Sequence, residues 1–219
     1  MNSDRRAIFS KIQNALSRGR EKNYLQDTAL PQVDPSLLPG DRMSEDEQWE
    51  RFADQIVLLG DTCERVDSKQ AAQQRILACI QESGYTRAVC DQDAAEYLEL
   101  DLQDYGPELG DTSDVNAVLA AQVGITRADF AIAESGTLGL CVQEKRSRMT
   151  SLAPDMHIAL LDLMDMVAGP YEAIRMHKQK CPDRSIVWIT GSSRTADIDG
   201  ILIHGAHGPR QLHVLGVAS

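Results

Sequence analysis

Aromatic residues make up only 5% of this 219-residue chain, and no apolar run approaches the roughly 18 residues of a membrane-crossing helix. The cysteines Cys63, Cys79, Cys90, Cys141 and Cys181 are far apart, and no C-x-x-C pair occurs. That argues against the common zinc and iron–sulfur frameworks. A Walker loop, a strict G-x-G-x-x-G and a G-x-S-x-G elbow are all missing, which closes the familiar nucleotide and serine-hydrolase routes. Positive charge is also short: Lys and Arg number 22 against 33 Asp and Glu, a formal net charge of -11. A nucleic-acid surface or docking on anionic lipid needs the opposite balance. Arg5-Arg6 has the look of an export signal, but Lys11, Arg18 and Arg20 interrupt the stretch that should be apolar. The expectation is a cytoplasmic chain without membrane insertion, its dispersed thiols reduced, with Cys79 and Cys90 packed as small core residues.

What is present divides in two. Ile8, Phe9, Ile12 and Leu16 share one helical face, with Ser3 or Asp4 as N-cap and Gly19 as a stop. Pro31, Pro35 and Pro39 then punctuate a stretch without period. Residues 1–43 therefore read as a helical arm and linker, which either contacts a partner or covers a groove of the main body. From residue 44 the pattern changes. Ser44 and Glu47 form a capping-box pair ahead of the stripe Trp49, Phe52, Ala53, Ile56, Leu59. A strand at Cys63–Val66, a helix from Ser68 to Ser83 stopped by Gly84, a strand in "YTRAVC" and a polar helix through Ala94, Ala95 and Leu98 follow. "SDVNAVLAAQV" reads as a short helix, and "YEAIRMHKQ" as another. "ADFAIAE", "TLGLCV", "HIALLDL", "SIVWIT", "GILIHG" and "QLHVLGV" read as strands. Near-continuous apolar strands alternating with helices predict one α/β domain, 44–219, around a mostly parallel sheet buried on both faces.

In such a sheet, ligands are expected beyond the carboxyl ends of the strands. The polar segments to consider are Glu134-Ser135-Gly136-Thr137, "RMTSLAPDMH", "GSSRTADIDG" (Gly191 to Gly200) and "HGAHGPR" (His204 to Arg210). In the third, Gly191 allows close backbone approach, Ser192, Ser193 and Thr195 offer hydroxyls, and Arg194 can grip a carboxylate in bidentate fashion. Equally, Ser193 or Thr195 caps a helix and Arg194 pairs with Asp197 or Asp199. His207, flanked by Gly205 and Gly208, sits in a turn that presents its imidazole. His157 opens a strand and is expected to be a satisfied core histidine; His177 lies on a polar, exposed helix. His204, His207 and His213 lack the helical spacing of a metal site, so no metal and no cofactor is assigned.

Taken in order, "ADFAIAESGTL", "SLAPDMHIAL", "SSRTADI" and "GAHGPRQLHVL" resemble the LUD-domain family, and within it the lactate utilisation protein C group. The resemblance is strong over residues 110–219 and looser from residue 44. The family more often has A-E-T-G-T where this chain has Ser135, and a leucine with paired prolines where it has Ala153-Pro154-Asp155; neither change removes a catalytic group. The resemblance implies a three-layer α/β/α Rossmann-like fold similar to ribose-phosphate isomerase and CoA transferases. It also implies a part in bacterial oxidation of L-lactate to pyruvate, beside two companion proteins that carry the iron–sulfur clusters. "ESGTLG" is similar, too, to the E-N-G-x-x-G stretch of CoA transferases, which would make Glu134 a nucleophile or general base. Alternatively Glu134 is a structural carboxylate accepting N–H bonds from the Gly136 turn. The expectation is one cleft for a small 2-hydroxy or 2-oxo acid. Glu134 and His207 are its candidate catalytic groups, and Ser135, Gly136, Thr137, Ser193, Arg194, Thr195, Gly205 and Gly208 its binding groups. A stand-alone CoA-transferase-like or sugar-phosphate isomerase-like enzyme, and a non-enzymatic scaffold module, remain the alternatives.

Overall fold

A computed structural model describes residues 8–11, 13–14, 43–99, 108–110, 112–142, 147–182, 184–196 and 202–218. The chain divides into two units, Met1–Leu38 and Pro39–Ser219. In the first, residues 8–11, 13 and 14 are helical and exposed. The proposed N-cap at Ser3 or Asp4, the stop at Gly19, the linker and the Asp197 and Asp199 partners of Arg194 lie outside the described residues.

The second unit runs α1 (Glu45–Leu58), β1 (Thr62–Val66), α2 (Lys69–Ser83), β2 (Arg87–Cys90), α3 (Gln92–Leu98), β3 (Glu108–Gly110), α4 (Val115–Ala120) and β4 (Val123–Arg127). It continues through β5 (Phe130–Ile132), β6 (Thr137–Cys141), α5 (Arg148–Leu152), β7 (Met156–Asp162), a 3-10 turn (Leu163–Asp165) and β8 (Met166–Val167). It ends with α6 (Pro170–Lys180), β9 (Ile186–Ile189), β10 (Arg194–Ala196), β11 (Leu202–His204) and β12 (Gln211–Val217). The helix ends follow the sequence. At α1 the Ser44 N–H donates to Glu47 Oε2 at 2.7 Å and the Glu47 N–H to Ser44 Oγ at 3.3 Å, which completes the capping box. At α2 the Ala71 N–H donates to Ser68 Oγ at 3.1 Å, and Gly84 stops the helix at φ +70°.

Six strands form a parallel sheet in the order β1-β12-β7-β4-β2-β3. Its central strands are apolar on both faces, as the continuous runs required. Ile158 and Leu160 of β7, with Leu215 and Val217 of β12, pack with Ile76 and Ile80 of α2 and Leu98 of α3. The alternate residues Ala159, Leu161, Leu212 and Val214 pack on the other side with Phe52 and Ile56 of α1. This is an α/β fold around a mostly parallel sheet with flanking helices.

Three of the expected strands lie elsewhere. β5, β6 and β9 join β8 in a separate four-stranded sheet, order β8-β5-β6-β9, with β5/β6 and β6/β9 antiparallel. Leu138 and Leu140 place one face of it on the second core cluster. The other face carries Phe130 and Ile132 against Ala173 and Met176 of α6. A sheet thus intervenes between the main sheet and α6. "GILIHG" also leaves the main sheet: β11 pairs only with β10, in an antiparallel hairpin. Strand β4 was concealed in the sequence, because "VGITR" follows a helical stretch without a turn signal and every residue but its last is buried. Gly124 inside it is dictated by packing: a Cβ there would fall on the Thr150 carbonyl oxygen of α5.

The expectation of five reduced thiols does not hold. Cys141, at the end of β6, and Cys181, at the end of α6, form a disulfide across 40 residues of sequence. Cys79 and Cys90 are buried, as anticipated, at 3% and 5% exposure. No helix among the described residues is long and apolar enough to cross a membrane.

Candidate functional site

A cleft of ≈ 170 Å³ opens between the amino ends of β7 and β12 and the strand β9. It is walled by Val187, Trp188 and Ile189 from β9, by Ser151 and Leu152 at the end of α5, and by His207, Gly208 and Pro209 leading into β12. Thr190, Gly191, Ser192 and Ser193 form its rim, with His157 and Leu212 on the floor. This is the end of the sheet opposite to the one expected. The second sheet explains the difference, since it covers one face of the parallel strands and delivers the loop after β9 to their amino ends.

The floor residue His157 is 1% exposed and shares a hydrogen bond of 2.8 Å, Nε2 to Oγ1, with the buried Thr126. Burial pushes its pKa down to about 4, because the imidazolium would be stripped of water. The ring is neutral in ordinary buffer and serves as a hydrogen-bonding group.

The rim is held by Asp61, which follows Gly60 at the end of α1. Its Oδ2 accepts the Ser192 N–H at 2.8 Å and its Oδ1 accepts the Leu212 N–H at 3.2 Å, so one carboxylate ties the rim to the floor. Gly191, at φ +84°, makes the turn possible, and a Cβ there would come within 3.1 Å of Asp61 Oδ2. The second loop is laced to the first. The Ser193 N–H donates to the Pro209 carbonyl, the Gly205 N–H to the Ser193 carbonyl (both 2.8 Å), and the His207 N–H to Ser193 Oγ at 3.3 Å. Hydroxyls continue inward. Thr190 Oγ1 lies 2.7 Å from Thr137 Oγ1, which lies 2.7 Å from Ser135 Oγ. Ser192 Oγ is buried without a hydrogen-bond partner.

The structure therefore brings together part of the expected set. Ser193, His207 and Gly208 line the cleft, Gly205 shapes its loop, and Thr137 and Ser135 reach it through Thr190. Arg194, Thr195, Glu134 and Gly136 are not among its lining residues. The Arg194 guanidinium turns toward Gly60, where a Cβ would lie 3.1 Å from its Nη2. Thr195 pairs with Ile203 in the β10/β11 hairpin. Glu134 is exposed; its N–H donates to the Ala168 carbonyl at 3.1 Å, and its carboxylate stands with that of Glu172 beside Gly169, at the start of α6. Gly136 takes φ +62° and packs on Gln55 and Ile56 of α1. His213 bonds Thr62 at 2.6 Å, away from the cleft. Thr190, Trp188 and Asp61 were not singled out from the sequence, and Ser151 enters there only as part of "RMTSLAPDMH". For Thr190 and Asp61 the one signal was a polar residue after an apolar strand or a helix, which is common to many structural positions.

A mostly parallel sheet with flanking helices and a cleft at strand ends defines a Rossmann-like α/β protein. The sequence pattern of the LUD domain matches residues 50–217, and the chain belongs to the LUD domain family. Lactate utilization protein C of Bacillus licheniformis is 34% identical over 94 residues, which is 41% of this chain and 39% of that protein. Lactate utilization protein C of Shouchella clausii is 38% identical over 93 residues, 41% of each. The protein of that name from Oceanobacillus iheyensis is 34% identical over 117 residues, 51% of this chain and 49% of the relative. The chain thus spans between two-fifths and a half of the length of these relatives. A DUF162 family protein from Deinococcus radiodurans has the same fold, with a TM-score of 0.61 at 23% identity, covering 81% of this chain and 99% of that one.

Proposed function

We propose that this chain is a lactate-utilisation subunit, acting in the oxidation of L-lactate to pyruvate beside iron–sulfur companion proteins. The observation that carries this reading is membership of the LUD domain family, together with curated relatives named for lactate utilisation. In this reading the cleft holds the small carboxylate. Its polar lining of Thr190, Ser192, Ser193 and neutral His157 offers hydrogen bonds without a fixed positive charge, and Val187, Ile189 and Leu212 offer an apolar wall for a short carbon chain. The hydroxyl of Ser192, buried and unpartnered, is the protein group a bound ligand completes. His207 in the cleft wall is the group assigned to take the substrate hydroxyl proton. The C2–H bond breaks as the C=O bond forms, and the two electrons pass with that hydrogen to the companion proteins, so that two electrons and two protons leave in all. The test is reconstitution of L-lactate oxidation with a dye acceptor from the separately purified companions and this chain. Omitting the chain should abolish pyruvate formation, and an undiminished rate without it would overturn the proposal.

A further inference from the structure

The end of β6 and the last turn of α6 bring three metal-ligating side chains to one place, away from the cleft's rim loops. Cys141 is 0% exposed, Cys181 is 2% exposed and His177 is half-buried. Their ligand atoms all lie within 4.8 Å of one another, with His177 Nδ1 3.7 Å from Cys141 Sγ. His177 and Cys181 are four residues apart, so they fall on the same face of the helix, and the Cys181 N–H donates to the His177 carbonyl at 2.8 Å. The third member is fixed from the sheet, where the Cys141 N–H donates to Asp129 Oδ2 at 2.7 Å.

We propose that in its dithiol form the chain binds a divalent cation of the zinc class through Cys141, Cys181 and His177. A tetrahedral zinc site with bonds of about 2.3 Å to sulfur and 2.0–2.1 Å to nitrogen sets neighbouring ligand atoms about 3.5–3.8 Å apart. The Cys141–His177 separation already has that value. The two sulfurs are bonded in this structure and must first be parted. A dithiol reductant does this by two exchange steps: its two electrons cleave the S–S bond, it departs as its own disulfide, and two protein thiols remain. The Cα atoms, 6.3 Å apart, leave room for the sulfurs to separate by side-chain rotation. The cation then displaces both thiol protons into solvent, and two thiolates neutralise its charge within the buried site. Two sulfurs and an imidazole select zinc-like ions over magnesium or calcium, which take oxygen ligands. Cys141 is far from His177 and Cys181 in sequence, so spacing alone gave no sign of the site.

The test uses the full chain, reduced with dithiothreitol, freed of reductant under anoxia and titrated with Co(II). Reduced wild type should take up one Co(II) per chain with a thiolate-to-cobalt charge-transfer band and tetrahedral visible absorption, both bleached by zinc. The oxidised chain should show neither. Cys181→Ser should lose the charge-transfer band, and His177→Ala should weaken binding at least tenfold while still forming the disulfide on reoxidation. Absence of the band in reduced wild type would overturn the proposal and leave a structural disulfide. So would a band that survives both variants, since it would then arise from Cys63, Cys79 or Cys90.

Discussion

Thr126 Oγ1 and His157 Nε2 share a hydrogen bond of 2.8 Å on adjacent parallel strands, with both residues buried. His157 lies on the floor of the cleft, with Thr126 beside it, and burial disfavours its imidazolium. It therefore couples the cleft's chemistry to the protein's acid stability.

The sign of that coupling follows from burial. The folded-state pKa of His157 is lowered from 6.5 to about 4, so as pH falls between these values the unfolded chain takes up a proton that the folded chain refuses. The stabilisation is complete above 6.5 and drains away toward pH 4, by about 2–3 kcal/mol for this group. Urea titrations at pH 7.5 and 4.5 should show a stability loss larger by that amount in wild type than in His157→Gln. Equal losses in the two proteins would refute the assignment.

Gly124 should be the least replaceable glycine in the parallel sheet. A Cβ there meets the Thr150 carbonyl oxygen and lies 3.0 Å from the Pro154 ring, and neither can swing aside as a flexible side chain would. Gly124→Ala is expected to destabilise by about 1–3 kcal/mol or more and to push α5, which carries Ser151 and Leu152, out of the cleft wall. Gly84→Ala, in open space but at φ +70°, should cost only about 1 kcal/mol. Urea midpoints at constant slope decide the ranking.

Asp61 makes a separable prediction. Asp61→Ala leaves the Ser192 and Leu212 amides without their acceptor, a loss of about 2–4 kcal/mol. Asp61→Asn retains one acceptor oxygen and should lose less. Hydrogen exchange at these two amides should accelerate in both variants, more in the alanine protein. Unchanged protection at Ser192 would show that another group holds the rim.

Much of the frame was legible because its signals are local. Ser44 with Glu47, Ser68, and Gly84 mark helix ends by chemistry that operates within four residues. Strand partnership is not local in this way. Phe130–Ile132 and Thr137–Cys141 are buried on both faces, so their apolar runs read the same whether they join the parallel sheet or a second one. The direction of the cleft was lost with that choice. Arg194 and Glu134 carry strong chemical signals, yet the partners that turn them away, Gly60 and the start of α6, are distant in sequence. The Cys141–Cys181 pair was hidden for the same reason.

The cleft's use as a carboxylate site rests on neutral donors, and that separates it from an arginine grip. Thr190 lines the cleft and begins a chain of hydroxyls through Thr137 to Ser135, and Ser192 Oγ has no protein partner. Each lost hydrogen bond to a bound acid is worth about 1–1.5 kcal/mol, or roughly tenfold in affinity. In calorimetric titrations with L-lactate and pyruvate, Thr190→Val and Ser192→Ala should each weaken binding about tenfold, because each removes a donor while nearly keeping the shape. Arg194→Ala should bind within about threefold of wild type, since its guanidinium lies against Gly60 and outside the lining. Its effect should fall on stability instead, where it loses the packing of its guanidinium against Gly60. Arg194→Lys then behaves like wild type toward both acids. The reverse pattern, with binding lost in Arg194→Ala and Arg194→Lys but kept in Ser192→Ala and Thr190→Val, would move the carboxylate out of this cleft and onto the arginine.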